Sequence, residues 1–446
     1  METRICLPSY DTIVVGLGPS GIAYGMECVA RNERTLFLEA NHGLGGCWRS
    51  SFDMRGLYTE HSPKVMFKYQ NKDANELIRR VGAPLNFKDV YSSNLIKQIF
   101  KTVWKRISLR DLIKLLALTI CYAFNQHDTE ITVQGWCERA AVTESFSKVL
   151  SVYSILVANT PDRIRMAVLL STFFTFRMLL SVDQLVSPNE WLERAEAALR
   201  TVAHYTLRYG ATVSRLDANE EGVTHVVTTD GERIAAKRVV LCVPLRNVFR
   251  MVESSSEIVH RNWFRNLDSF RYYTEKSSYT GLGFQLHFES STKYPSEWCW
   301  SCMGDWTVIV VDKTHSLREF SKNKRVRTLW SCVVVDLDTV SAHLGRSANE
   351  CENLGDVFRE AVRQIESSLG SKLGTYVMTT HNSIARRNSR WEAWESSFSD
   401  CFGPLAPTGK ISNLHTLGPH NESAIATIDS AVRSVKRFCA SNKFKR

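Results

Sequence analysis

The 446-residue chain lacks any run able to cross a membrane. Its best apolar stretches are Leu112–Phe124, interrupted by Lys114, and Met166–Val182, which contains Arg177. A span needs about 20 mostly apolar residues, so both read as buried helices. Residues 1–10 carry Glu2 and Arg4 and no apolar core, so a signal peptide is not expected. The 12 cysteines are scattered from Cys6 to Cys439. Cys299 and Cys302 form the one close pair, and no second CxxC or paired histidines accompany it. That pattern disfavours a disulfide framework and a zinc site and points to a reducing, cytoplasmic setting with no bound metal. No GxSxG elbow occurs, so nucleophilic hydrolysis lacks support. The charge excess is small, 56 Lys+Arg against 46 Asp+Glu. With no nucleic-acid module visible, a nucleic-acid partner is not expected. Hydrophobic residues at 44% and charged residues at 23% exclude a disordered chain.

What is present begins at residue 11. Asp11–Val15 is a short β-branched run that reads as a buried parallel strand. Gly16-Leu17-Gly18-Pro19-Ser20-Gly21 follows, then a helical stretch to Arg31, then a second apolar run, Thr35–Leu38, ending in Glu39. In a strand–turn–helix of this kind Gly16 allows the tight turn. Gly18 lets backbone approach a pyrophosphate, and Gly21 lets helix pack on strand. The helix N-terminus offers N–H groups and positive potential to phosphates. Glu39, 18 residues past Gly21, is placed to accept from ribose hydroxyls and disfavours a 2′-phosphate, which selects FAD or NAD over NADP.

Glu39 is followed six and seven residues later by Gly45-Gly46, then Cys47-Trp48-Arg49. An acid with a Gly-Gly pair at this distance resembles the flavoprotein superfamily of amine oxidases, phytoene desaturases, protoporphyrinogen oxidases and UDP-galactopyranose mutases. The resemblance implies an FAD cofactor, with Gly45, Gly46 and Trp48 beside the pyrophosphate and ribityl chain. Many members carry Arg directly after the pair; here Cys47 stands there, and Arg49 is the nearest replacement charge.

Two later segments fit the same superfamily. Glu190–Arg208 has a helical pattern, followed by a strand from Val213, a hairpin at Asp230-Gly231 and a buried strand at Val239–Val243. The resemblance implies that Val213 touches adenine through its backbone. Near the C-terminus, Asn413–Asn421 and an amphipathic helix from Thr427 match the family's closing segment. There Gly418 would lie beside the flavin phosphates, and the helix starting at Thr427 and Ile428 would point at the isoalloxazine. The expected fold is α/β: a Rossmann-type, glutathione-reductase-like FAD-binding domain (8–60, 203–250 and 405–446) interleaved with an α+β substrate domain (61–202 and 251–404). No second GxGxxG occurs, and Gly281-Leu282-Gly283 leads into a strand pattern, so a separate NADPH unit is not indicated.

In the substrate domain, strands are expected at Ser278–Phe288, Thr307–Val311 and Thr328–Val335. Trp298, Trp300, Trp306, Trp330, Trp391 and Trp394 are candidates either for a pocket wall or for core packing. Residues 97–114 interleave Lys97, Lys101, Lys105, Arg106, Arg110 and Lys114 with apolar residues. That pattern fits either peripheral contact with an anionic membrane or a solvated helix face. By the resemblance, His61 is the polar catalytic candidate beside the flavin. The implied activity is an FAD-dependent oxidoreductase of the amine oxidase or desaturase type, taking a hydride from an amine or C–C bond of a small-molecule substrate. The alternatives are a mutase-like non-redox flavoenzyme, which the short Gly418–Thr427 loop favours and for which Arg386, Arg387 and Arg390 would supply the anion site, and a flavin-free binding protein like the GDP-dissociation inhibitors. Oligomeric state is left open.

Overall fold

The computed structural model describes residues 10–64, 71–85, 87–91, 108–124, 130–156, 160–174, 182–185, 187–291, 299–302, 304–318, 320–393, 397–398, 402–422 and 426–441. Strand β1 (Tyr10–Val15) leads through the glycine turn into helix α1 (Pro19–Cys28) and strand β2 (Thr35–Glu39). Helices α2 (Lys72–Arg80), α3 (Leu109–Ala123) and α4 (Glu190–Arg200) precede β3 (Tyr205–Tyr209). A meander follows: β4 (Val213–Asn219), β5 (Gly222–Thr228) and β6 (Arg233–Leu241), with the β5–β6 turn at Asp230-Gly231, where Gly231 takes φ +88°. β7 (Leu282–Phe288) and helix α5 (Leu354–Leu369) belong to the second layer system, and β8 (Leu414–Thr416) and helix α6 (Ile428–Ala440) return to the first.

The first sheet has seven strands in the order β3-β2-β1-β6-β5-β4, with β8 paired to β6. β1, β2, β3, β6 and β8 run parallel, with Val14 opposite both Phe37 and Val240. β1 and β2 bury every residue from Thr12 to Val15 and from Thr35 to Glu39, the continuous apolar pattern of a parallel strand covered on both faces. One face packs on α1, α2, α4 and α6 through Tyr24, Leu77, Trp191 and Val435. The other packs on helices Leu245–Glu253 and Leu267–Ser277 through Val248, Phe249 and Phe270.

The helical pattern of residues 190–208 breaks earlier than expected. α4 ends at Arg200, and Tyr205–Tyr209 is instead the edge strand β3 beside β2. Tyr205, Leu207 and Tyr209 at alternating positions suit a strand, and an existing sheet edge decides the matter.

The second sheet is antiparallel, ordered Cys299–Cys302, Val308–Asp312, Thr328–Val334, β7, Tyr376–Thr380. In β7 the alternation separates two faces. Leu282, Phe284, Leu286 and Phe288 join an apolar core with Phe358 of α5. Gln285 and His287 point the other way, Gln285 Nε2 donating to the Glu60 carbonyl at 2.9 Å and His287 Nε2 lying 3.0 Å from the Tyr58 carbonyl. Gly283 is required on this face, because a Cβ there would come within 1.9 Å of the His61 carbonyl oxygen.

Trp306, Trp330 and Trp391 are buried in the α5-facing core, so they pack the fold and do not wall a pocket. The side chains of Trp298, Trp300 and Trp394 lie outside the described residues. Cys299 and Cys302 share one strand. No described helix is long and apolar enough to cross a membrane. Met166–Phe174 is helical, but Val182 begins a strand. The reading of Leu112–Phe124 as buried fails: one side of α3 carries Leu109, Ile113, Leu116, Ile120 and, just beyond its end, Phe124, each at least 50% exposed. Residues 97–107 of the basic stretch lie outside the described residues.

Two buried histidines give the fold a pH dependence. Burial pushes His287 down to about 4 and His420, held 2.8 Å from the Thr416 hydroxyl, down to about 3. In the unfolded chain both titrate near 6.5, so below that pH the unfolded state takes up protons that the folded state refuses. Stability is therefore full above about pH 6.5 and falls by about 1.4 kcal/mol per pH unit per histidine as pH drops toward 4. Urea midpoints from pH 7 to pH 5 should drop steeply, and His287→Gln with His420→Gln should flatten the curve. An unchanged slope in the double variant would refute the assignment.

Candidate dinucleotide site

The carboxyl ends of β1, β2, β6 and β8 converge, the place where a doubly wound sheet binds ligands. Each glycine of the first turn meets a separate demand. Gly16 adopts φ +94°, and a Cβ there would strike Val243 and the Cys242 carbonyl within 2.7 Å. Gly21 lies so close to the turn that a Cβ would come within 2.0 Å of the Gly16 carbonyl. Gly18 differs: its φ is an ordinary −71°, and a Cβ would meet nothing within 4 Å. Nothing inside the chain demands glycine at 18, whereas a ligand pressed against its backbone would. Pro19 opens α1 at a position where its missing N–H costs nothing. Ser20, also buried, abuts the Ala431 carbonyl of α6 at 3.5 Å.

Gly45 and Gly46 close over this turn. Gly45 N–H donates to the Leu17 carbonyl at 2.7 Å, and a Cβ on Gly46 would lie 3.3 Å from Gly18 Cα. Both take positive φ, +119° and +52°. Trp48 packs half-buried against the helical core. Arg49 is exposed and folds back over its own loop, its Nη1 lying 3.5 Å from the Leu44 carbonyl.

Glu39 is buried at the end of β2. Its Oε2 accepts from Leu17 N–H at 2.7 Å, and its Oε1 accepts from both the N–H and the side-chain amide of Asn41 at 2.9 Å. A carboxylate has about four acceptor positions, so Oε2 retains one for a ribose hydroxyl. Asn41 was not anticipated from the sequence; an Asx residue two past the acid is the signal that could have found it. Val213 is buried at the start of β4 opposite Thr228.

The closing segment docks on the same edge. Leu417 N–H donates to the Leu241 carbonyl at 2.8 Å. Gly418 N–H is taken internally by Asn421 Oδ1 at 2.8 Å and Ser434 Oγ at 3.2 Å. Thr427 and Ser430 form a reciprocal capping box at the head of α6, and Ile428 is its first residue. Asp429, unforeseen in the sequence, reaches out of α6 to cap α2 at Asp73 N–H (2.8 Å) and Ala74 N–H (3.1 Å). That contact fixes two helix starts together.

His61 is buried beside β7, with Nδ1 3.0 Å from the Ser383 hydroxyl. Arg386, Arg387 and Arg390 lie on a hairpin turned at Asn388 and Ser389. Arg386 donates to the Cys351 carbonyl at 2.6 Å and stacks on Trp391, while Arg390 pairs with Asp338 at 2.6 Å. Arg386 and Arg390 thereby hold the hairpin to its neighbours.

Residues 14–81 match the family model of the NAD(P)-binding Rossmann-like domain. A soluble pyridine nucleotide transhydrogenase of Azotobacter vinelandii is 25% identical over 136 residues, 30% of this chain and 26% of that protein. The chain therefore matches about a quarter of that relative's length. The solved oxidoreductase from Methanosarcina mazei superposes with a TM-score of 0.65 at 12% identity, covering 96% of this chain and 100% of that one. Cyclohexylamine oxidase from Brevibacterium oxydans gives 0.62 at 12% identity over 97% and 98%. Putrescine oxidase bound to putrescine gives 0.59 at 15% over 97% and 98%. This chain shares the fold of these solved oxidases. Within that fold its own residues fit a dinucleotide: open space over Gly18, a buried acid at 39 with an acceptor position left, and a helix N-terminus at α6 facing the same edge.

Proposed function

We propose that the chain is an FAD-dependent oxidoreductase of the flavin amine oxidase type. The reading rests on one observation above the others: Gly18, free of any internal constraint, stands under the Gly45-Gly46 turn at the end of a parallel sheet. FAD bound there supplies a two-electron acceptor for a hydride from an amine or C–C substrate. The chain's part is to hold and orient it. The Gly16–Gly21 turn and the start of α1 receive the pyrophosphate, and Glu39 receives a ribose hydroxyl. The start of α6 sets positive potential where electron density builds up. Gln285 and His287 of β7 hold the Glu60 and Tyr58 carbonyls, and His61 meets the Ser383 hydroxyl, which orders that side.

The test is a visible spectrum of purified protein refolded with FAD, then hydrogen peroxide release with a panel of amines. Absence of bound flavin sinks the proposal; flavin without amine turnover sinks only the amine assignment. Glu39→Ala should lower flavin affinity by at least tenfold, about 1.4 kcal/mol, because it removes the ribose acceptor and strands the Leu17 and Asn41 donors. Full flavin occupancy in that variant at micromolar FAD would show that Glu39 does not meet the ribose.

A further inference from the structure

Helix α3 is apolar on two sides. Leu115, Leu118 and Tyr122 pack against a helical cluster built on Trp136, Phe146 and Leu169. Leu109, Ile113, Leu116, Ile120 and Phe124 lie on the opposite side at 73%, 59%, 57%, 50% and 72% exposure. They are five of the eleven exposed large apolar side chains among the described residues. Their spacing of four, three, four and four residues places them in one stripe along the helix. Scattered exposed leucines need no explanation, but a continuous stripe marks a surface that something covers.

The charge around the stripe indicates what covers it. Between Tyr91 and His127 the sequence holds Lys97, Lys101, Lys105, Arg106, Arg110 and Lys114 against a single acid, Asp111. Asp111 does not offset them at the surface. It is buried, accepting from the Thr143 hydroxyl at 2.7 Å and the Ser108 hydroxyl at 2.8 Å. Arg110 is exposed at the start of the stripe, and Lys114 reaches inward to the Ala141 carbonyl at 2.7 Å. A cation-rich segment leading into an exposed apolar stripe matches a surface that is anionic outside and apolar just beneath. Nucleic acid supplies the charge but no apolar phase for Ile113, Leu116 and Ile120. A helix of 15 residues is about 22 Å long, short of the roughly 30 Å hydrocarbon core, so it lies in the interface and does not span.

We propose that α3 docks this chain on anionic lipid bilayers, its Leu109–Phe124 stripe sunk below the headgroups and Arg110 held at the phosphate level. This is independent of the flavin assignment, because the stripe contains no residue of the dinucleotide site.

The experiment is co-sedimentation of the full chain with vesicles of phosphatidylcholine alone and of phosphatidylcholine with phosphatidylserine. Wild type should partition onto the phosphatidylserine vesicles and not onto the neutral ones. Binding should weaken in about 1 M salt, where the Debye length falls to about 3 Å. Ile113→Ser/Leu116→Ser/Ile120→Ser should lower partitioning by at least about a hundredfold, since burial of each side chain is worth about tenfold or more. Arg110→Glu should lower it by about fivefold or more. Met54→Ser/Phe402→Ser, which removes exposed apolar side chains elsewhere, should bind as wild type does. All of these positions are exposed, so thermal unfolding should match wild type and separate lost docking from lost fold. Failure of wild type to bind phosphatidylserine vesicles overturns the proposal, as does a triple variant that binds equally well. If the triple variant instead converts a dimer to a monomer in light scattering and wild type binds no vesicles, the stripe is a self-association face and the proposal is overturned.

Discussion

Gly18→Val should yield a folded chain that no longer holds its dinucleotide, whereas Gly21→Val should not yield a folded chain. The two glycines are three residues apart in one turn, yet only Gly21 is confined by its own protein. A Cβ on Gly21 would lie 2.0 Å from the Gly16 carbonyl oxygen, and Gly16 is held at φ +94° by its packing on Cys242 and Val243. Neither backbone can yield without parting α1 from β1 and β6. The clash is with main chain, so the cost lies at or above the upper end of the usual overpacking range of about 1–3 kcal/mol. Gly18 precedes α1 in an extended conformation, φ −71° and ψ −173°, that valine adopts readily. Its loss as a helix cap costs only about 1 kcal/mol. Two valine methyls standing in the open space above it would hold a pyrophosphate off the α1 N–H groups, and flavin affinity should fall by at least about a hundredfold, roughly 3 kcal/mol. Thermal denaturation of the apoprotein and flavin absorbance after reconstitution read the two effects separately. Gly18→Val with full flavin, or Gly21→Val with an unchanged melting temperature, would contradict this account.

The dinucleotide turn was legible because everything it needs is local. Strand, glycines, helix and Glu39 fall within thirty residues, and the roles of Gly16 and Gly21 follow from the backbone they must form. Three of the second sheet's five strands were legible from β-branched and aromatic alternation, the first of them running from Leu282 and not from Ser278, whereas Cys299–Cys302 and Tyr376–Thr380 were not expected. What stayed hidden depends on partners far away in sequence. The end of α4 at Arg200 is marked by no glycine or proline. Tyr205–Tyr209 becomes a strand because β2 leaves an edge there to pair with. Periodicity in Leu112–Phe124 revealed an apolar helix but could not say that only one of its two apolar sides has a neighbour. Likewise Asp429 reads as an ordinary first-turn acid of α6. Its grip on the start of α2, more than 350 residues earlier, exists only in the folded chain.

Lys313→Met should be the most destabilising single change in the second layer system, at about 3–5 kcal/mol. Glu60 is fully buried, and the Lys313 side chain is 3% exposed. The ammonium lies 3.7 Å from Glu60 Oε1 and donates to the Lys64 carbonyl at 2.5 Å, while Tyr58 hydroxyl donates to Glu60 Oε2 at 3.0 Å. Among the described residues Oε1 has no hydrogen-bond donor, so the ammonium is its main compensation. Removing it leaves a charge sealed away from water, and the cost is far larger than the net worth of the pair. The same logic gives the control. Glu60→Gln/Lys313→Met buries no charge and should regain most of the loss, giving a coupling energy above about 2 kcal/mol in a double-mutant cycle followed by urea unfolding. The pair is sealed away from solvent. It pins Tyr58–Glu60 to the second sheet, and Gln285 and His287 of β7 grip the same backbone. The double variant should therefore keep its flavin and any turnover while Lys313→Met loses both through unfolding. A double variant that is stable yet inactive would move Lys313 from the scaffold into the chemistry.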